Sequence, residues 1–270
     1  MDPDAIRAFE HTRWEAAAPA YAASFGVATR MFADALLDAA AVRAGTRVLD
    51  MACGPGVVAG MAASRGADMC GVDFSAAMLA QARAAFPRVE FVHGDAEALP
   101  LPNASFDAVV SNFGLHHVPR PALALAEARR VLRPGGRVAF TFWAGHAENI
   151  AWKLVFQAVR RCGDPAASDA PPPGGGFGTT QACLDALAAA GFVDVAARVE
   201  HRVWRHADAA ALVAALRAGT ARMAAMIEGQ AAGVLPRVIA EIELAAAGYR
   251  DADGLALPIA AVVAEGMREG

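Results

Sequence analysis

Two glycines in one turn, Gly54 and Gly56, and two carboxylates that end short apolar runs, Asp73 and Asp95, stand where they could hold a small polar ligand. The stretch 48–56 reads V-L-D-M-A-C-G-P-G: a strand pattern enters a turn with two glycines, and a helical pattern follows. Glycine permits positive φ and close approach of a ligand to the main chain, and the first turn of a helix offers N–H groups with no intrahelical partner. Asp73 closes G-V-D, 23 positions after Asp50, where a carboxylate can accept both hydroxyl hydrogens of a ribose. It could equally serve the start of the next helix beside Ser75, a good cap, and the two roles are compatible. Asp95, in G-D-A-E after a third apolar run, can accept from an exocyclic amine such as adenine N6. His116 and His117 follow a fourth run, and an imidazole there can take up a proton near neutral pH.

The elements that must position these groups alternate. Strand patterns at 47–51, 67–72, 89–93, 106–111 and 137–143 are separated by helical patterns at 57–65, 75–85 and 121–132. That alternation predicts a doubly wound α/β domain, a mostly parallel sheet covered on both faces, with ligands at the carboxyl ends of the strands. Residues 4–44 read as helices that end at Gly45. Beyond 143 the spacing predicts a helix at 149–161, a Pro-, Gly- and Ala-rich loop at 164–178 and a helix at 180–190. A strand at 192–204, a helical stretch at 208–247 broken near 229–236 and a last strand at 255–263 complete a seven-stranded sheet. The chain thus divides into an N-terminal helical lid (1–44), a ligand-binding core (45–145) and a completion of the sheet (146–270) with a helical cap over 146–180 and 208–247, inserted before the last strand. In that cap Leu212, Leu216, Met223, Met226 and Ile227 could line an apolar pocket, although helical spacing of this kind more often marks ordinary core. Arg217 and Arg222 either meet an acidic substrate or face water.

Composition narrows the partners. The formal charge is −4 and the basic residues are scattered singly, which leaves no footprint for a phosphate backbone, so nucleic acid is not expected. Residues 1–15 are polar and charged, and no stretch reaches 18 uninterrupted apolar residues, so neither a signal peptide nor a membrane span is expected and the reading is cytoplasmic. Cys53, Cys70, Cys162 and Cys183 form no C-x-x-C pair and read as buried free thiols. No carboxylate and His cluster has ligand spacing, so no metal is expected.

Taken together, V-L-D-M-A-C-G-P-G, G-V-D-F-S-A-A-M-L, G-D-A-E-A-L-P, F-D-A-V-V-S-N-F-G-L-H-H-V and V-L-R-P-G-G-R-V resemble the class I S-adenosylmethionine-dependent methyltransferases, a Rossmann-like fold. The branch is the one with the ubiquinone and menaquinone C-methyltransferases and many small-molecule methyltransferases, and the resemblance covers about 45–145. It implies S-adenosyl-L-methionine as cofactor. Asp50, Ala52, Gly54 and Gly56 would surround its methionine part, and Asp73 would hold the ribose hydroxyls. Phe74 and Met78 would line the adenine, Asp95 and Ala96 would meet the adenine edge, and Ser111, Asn112 and Phe113 would lie beside the amino acid end and the sulfonium. Pro55 departs from the family, which more often has Thr or Ser there; the turn is kept while a hydroxyl and an N–H are lost. A nicotinamide cofactor is disfavoured because Gly54, Gly56 and Gly60 are spaced one residue too long for G-x-G-x-x-G.

The implied reaction is direct displacement onto an O, N or C nucleophile of a small molecule, in a monomer or homodimer. The alternative is a binder of the cofactor that transfers no methyl, such as a cyclase or a regulatory protein. His117 is the candidate base, with Trp14, Tyr21 and Phe25 from the lid and Trp143 beside it. The chain resembles phosphoethanolamine methyltransferases only in its core. Because they pair a lid Tyr with a His in the matching loop, a Tyr21 and His117 dyad is one expectation; Tyr21 as a packing residue of the lid is the other.

Overall fold

A computed structural model describes residues 2–145, 147–171 and 177–270, so residues 172–176 of the loop expected at 164–178 lie outside the described residues, as do Met1 and His146. Three helices open the chain: α1 (Pro3–Tyr21), α2 (Gly26–Arg30) and α3 (Ala33–Ala39). Asp2 caps α1 through the Asp4 N–H, and Pro3 stands at its first position, where a missing N–H costs nothing.

The core follows as β1 (Arg47–Met51), α4 (Val57–Ser64), β2 (Asp68–Asp73), α5 (Ala76–Ala85), β3 (Glu90–His93) and β4 (Phe106–Asn112). A single 3-10 turn, Leu115–His117, leads to α6 (Pro121–Val131) and β5 (Leu132–Trp143). Then come α7 (Ile150–Cys162), α8 (Thr180–Ala189) and β6 (Phe192–His206). The cap helices α9 (Ala209–Gly219), α10 (Arg222–Glu228) and α11 (Val234–Ala245) precede the two-residue β7 (Arg250–Asp251) and β8 (Gly254–Arg268).

The strand order is β3-β2-β1-β4-β5-β8-β6, with β7 pairing β8 at the side, so the sheet has one short strand beyond the seven expected. β1 to β5 are mutually parallel, while β8 runs antiparallel between β5 and β6. The order reverses between β1 and β4, and a crevice opens there at the carboxyl ends.

Side-chain alternation along the strands builds two separate cores. Val48, Ala108 and Val110 face α3, α4 and α5 with Leu36, Leu37, Val58 and Leu79, while Leu49, Val109 and Val138 face α6 and α8 with Leu125, Val131 and Leu187. A third cluster joins α7, α9, α10 and α11 to Phe25, Phe32 and Trp204, and this is the cap. The helical stretch expected at 208–247 breaks twice, at Thr220–Ala221 as well as at 229–233, because Thr220 takes extended backbone after α9. Among the described residues no single helix is long and apolar enough to cross a membrane; α9 and α10 reach that length only as a pair bent by 117°. The four cysteines are free, with Cys162 half-buried rather than buried.

Candidate active site

The turn after β1 is tied to the end of β2. The Gly54 N–H donates to Asp73 Oδ2 at 2.8 Å and the Ser75 N–H to Asp73 Oδ1 at 2.9 Å. Ser75 in turn caps α5 by accepting from the Met78 N–H, so Asp73 supports the helix start while its remaining lone pairs stay available. Burial pushes the Asp73 carboxyl above the usual range, opposed by the N–H bonds from Ser75, Gly54 and Phe74.

Ala52 (φ 58) and Phe113 (φ 59) both adopt the left-handed conformation at the ends of the adjacent strands β1 and β4. For residues other than glycine this costs about 1–2 kcal/mol each, and it brings both to the mouth of the crevice. Phe113 is held by its N–H to Thr141 Oγ1 and stacks on Trp143 at 4.0 Å between ring centres. Asn112 donates to the Thr29 carbonyl and accepts from Thr141, locking the β4 end to the lid.

Three contiguous chambers run along this edge. One is lined by Asp50, Ala52, Gly54 and Asn112, a second by Gly54, Asp73, Met78 and Phe113, and a third by Phe74, Asp95, Ala96 and Pro119. Asp50 is buried, and its Oδ2 accepts from the Ala59 N–H at 3.1 Å while Oδ1 has no partner. Burial raises its pKa to about 8, the Ala59 bond opposing and Asp73 adding. An orphaned buried carboxylate oxygen fits a cationic group of a ligand.

Two of the expected site residues stand behind the groove instead. Gly56, at φ 78, starts α4, and a Cβ there would lie 2.8 Å from the Phe91 ring, so glycine serves helix packing at this position. Ser111 lies beneath Gly114, where an added Cβ would come within 2.7 Å of Ser111 Oγ; its neighbour Asn112 faces the chambers because alternate strand residues point to opposite sides. Asp95 lines the groove, but Arg7 of α1 donates to its Oδ2 at 2.9 Å and the Glu97 N–H to its Oδ1 at 2.8 Å. Arg7 also reaches Glu97 at 2.7 Å, so the lid is anchored to the turn after β3.

The expected Tyr21 and His117 dyad is not formed. Tyr21 shares a hydrogen bond with Thr29 Oγ1 at 3.0 Å, and burial pushes its phenol up to about 12. His117 Nδ1 lies 2.9 Å from Oε2 of Glu10, a residue the sequence reading passed over. The two lid residues are 11 positions apart on α1, about 16 Å along the axis, so the turn that meets His117 is the one with Glu10 and Trp14. The signal for Glu10 was present: it shares a stripe with Trp14, Ala17, Ala18 and Tyr21, a lone acid on an otherwise apolar face. His116 is different again. Its Nε2 accepts from the Trp143 N–H at 3.1 Å, and burial, with His117 and Arg222 nearby, holds its pKa well below the usual range, so the ring is neutral; its Nδ1 is buried without a partner.

Beyond His117 the crevice widens into a cavity of about 560 Å³ between the core and the cap, walled by Phe25, Phe142, Trp143, Trp152, Met223 and Met226. Of the cap residues singled out by spacing, the two methionines line it, whereas Leu212, Leu216 and Ile227 are core. Arg222 reaches the cavity, and Arg217 sits outside, 3.6 Å from Glu228. Trp14, Phe25, His117 and Trp143 line both the groove and the cavity. Among the described residues no group of three or more His, Cys, Asp or Glu could hold a metal ion.

This strand order, with the glycine turn at the point where it reverses, is the class I methyltransferase fold. Residues 49–140, about a third of the chain, match the family model described as methyltransferase domain. Its sequence is 44% identical over 109 residues to the demethylmenaquinone methyltransferase of Beutenbergia cavernae, a match that takes in 40% of this chain and 45% of that protein. The chain thus matches less than half the length of that relative. Among solved structures, the YcgJ protein of Bacillus subtilis superposes with a TM-score of 0.58 at 18% identity, covering 88% of this chain and 98% of that one. Phosphoethanolamine N-methyltransferase 2 of Haemonchus contortus, solved with phosphomonomethylethanolamine and S-adenosylhomocysteine, gives 0.53 at 20% identity, covering 88% and 52%. These two likenesses share the fold.

Proposed function

We propose that the protein moves the methyl group of S-adenosylmethionine to a bulky, largely apolar small molecule. The observation that carries this reading is the shared wall: Trp14, Phe25, His117 and Trp143 border both the polar groove and the 560 Å³ cavity, so two ligands can meet there. In the groove, the free Oδ1 of Asp50 suits the ammonium of the cofactor's amino acid end, and Asp73 suits the ribose hydroxyls. Phe74 and Met78 flank the base, with Asp95 and Ala96 along its edge.

A bound cofactor would supply an electrophilic methyl carbon on a cationic sulfur, to be displaced by the acceptor's electron pair with a neutral thioether as leaving group. The chain's task is to align acceptor and methyl and to exclude water, which the aromatic walls do. Where the acceptor atom is a hydroxyl or amine, His117 takes its proton. Tyr21 closes the lid over the groove and does no proton transfer.

A screen of phenols, amines and carboxylic acids for transfer of labelled methyl tests the reaction. Labelled product with an apolar aromatic acceptor is expected. Binding of the cofactor with no transfer to any acceptor, together with conversion of a candidate without methylation, would favour the non-methylating alternative.

A further inference from the structure

Glu10 is the meeting point of three separate parts of the chain. It lies on α1 with no exposed surface, and its Oε2 accepts from Trp14 Nε1 at 3.0 Å, one helical turn away, and faces His117 Nδ1 at 2.9 Å. Its other oxygen, Oε1, is 2.7 Å from Nη2 of Arg222, the first residue of α10, an ion pair by distance in which neither atom makes a hydrogen bond. Lid, core loop and cap therefore converge on one carboxylate. Burial alone would push Glu10 up, but the charge and hydrogen bond of His117, then Arg222 and the Trp14 hydrogen bond, hold the carboxyl below its usual range.

A buried carboxylate needs a counter-charge. Arg222, 2.7 Å away, is a fixed positive charge beside Glu10, so the carboxylate keeps a counter-charge when the imidazole is neutral. What Glu10 asks of the imidazole is a hydrogen-bond donor at Nδ1, and in a neutral ring that leaves the lone pair on Nε2. Nε2 makes no hydrogen bond among the described residues, the ring is 27% exposed, and it borders both the groove and the cavity. Trp14 stands edge-on to the ring at 4.8 Å and fixes its plane.

We propose that Glu10 is a positioning residue: it holds His117 in the tautomer whose Nε2 lone pair faces the acceptor cavity, with Arg222 as the counter-charge to Glu10. The proton-accepting site is then complete only when α1 lies on the core and α10 closes from the cap. The use of that lone pair rests on the methyl-transfer reading; the tautomer does not.

Nitrogen-15 NMR of labelled protein reads the tautomer directly, without turnover. In its neutral form the wild-type His117 is expected to carry its proton on Nδ1. Glu10→Ala should shift His117 toward the Nε2–H form. The paired substitution Glu10→Gln with Arg222→Gln keeps an acceptor for Nδ1–H and removes both charges together, and it should restore the Nδ1–H form. That pair also covers the case in which Glu10→Ala, which strands Arg222, fails to fold. With any acceptor found by the screen, Glu10→Ala should lower kcat at least tenfold with cofactor KM within twofold, and the pair should recover most of the rate. A neutral wild-type His117 protonated at Nε2, or a tautomer unchanged in Glu10→Ala, overturns the assignment. Absence of methyl transfer with the expected tautomers would instead count against the proposed reaction alone.

Discussion

The Gly54 N–H and the Asp73 carboxylate are 2.8 Å apart, so the turn after β1 and the end of β2 form one unit. A carboxylate that accepts from two backbone N–H groups, here those of Gly54 and Ser75, cannot be replaced by an amide without setting donor against donor at one of them. Asp73→Asn should therefore lose about 1–3 kcal/mol of stability, read by urea unfolding of the ligand-free protein. An unchanged midpoint would mean that the two bonds are not made in solution.

Gly56 tests the packing role assigned to the second glycine. Alanine there must hold φ near 78 and press on Phe91 at 2.8 Å. Left-handed strain and overpacking together should cost at least about 2 kcal/mol, lowering the melting temperature by several degrees. A substitution tolerated in stability but damaging to ligand affinity would return Gly56 to the groove.

Asp50 makes the ligand-free protein pH-sensitive. Its folded pKa, about 8, lies above the ordinary 3.8, so the folded state keeps a proton that the unfolded state has released. The contribution of this group to stability should then be fullest below about pH 4 and fall as pH rises toward 8, by at most about 1.4 kcal/mol per unit. Asp73 contributes in the same direction. Unfolding free energies at several pH values should show a shallower decline in Asp50→Asn; identical slopes would contradict the assignment.

Tyr21→Phe should keep turnover within about tenfold of wild type, since loss of a general base costs roughly 10²–10⁴. The phenol, held up near 12, stays protonated at neutral pH and bonds to Thr29. A loss of a hundredfold or more would restore Tyr21 to the chemistry.

Met226 lines the large cavity and is absent from the walls of the groove. Filling the cavity with Met226→Trp should raise the acceptor KM at least tenfold and leave cofactor affinity within twofold. Equal effects on both ligands would show that the cavity is not a separate acceptor site.

The core was legible because its signals are local. The turn after β1 carries Gly54 at positive φ, and Asp73 with Ser75 announced both the end of β2 and the cap of α5, whereas the left-handed Ala52 and Phe113 had no such signal. Residues set by long-range packing were not legible in that way. Gly56 and Gly54 look alike in sequence, and only the position of Phe91, 35 residues beyond Gly56, separates a packing glycine from a groove glycine. The partner of His117 was sought on the lid and found there, but one helix stripe holds Glu10, Trp14 and Tyr21, and which turn meets the loop depends on where α1 lies across α5 and α9. The cavity walls come from α7, α10 and the end of β5, a meeting that no single pattern in the chain records.

Calorimetric titration with S-adenosylmethionine, on wild type and Asp73→Ala in parallel, decides whether the groove is a cofactor site. Saturable binding of one cofactor per chain is expected, weakened at least tenfold in the variant. No binding by a folded wild-type protein, or equal binding by the two, would contradict it.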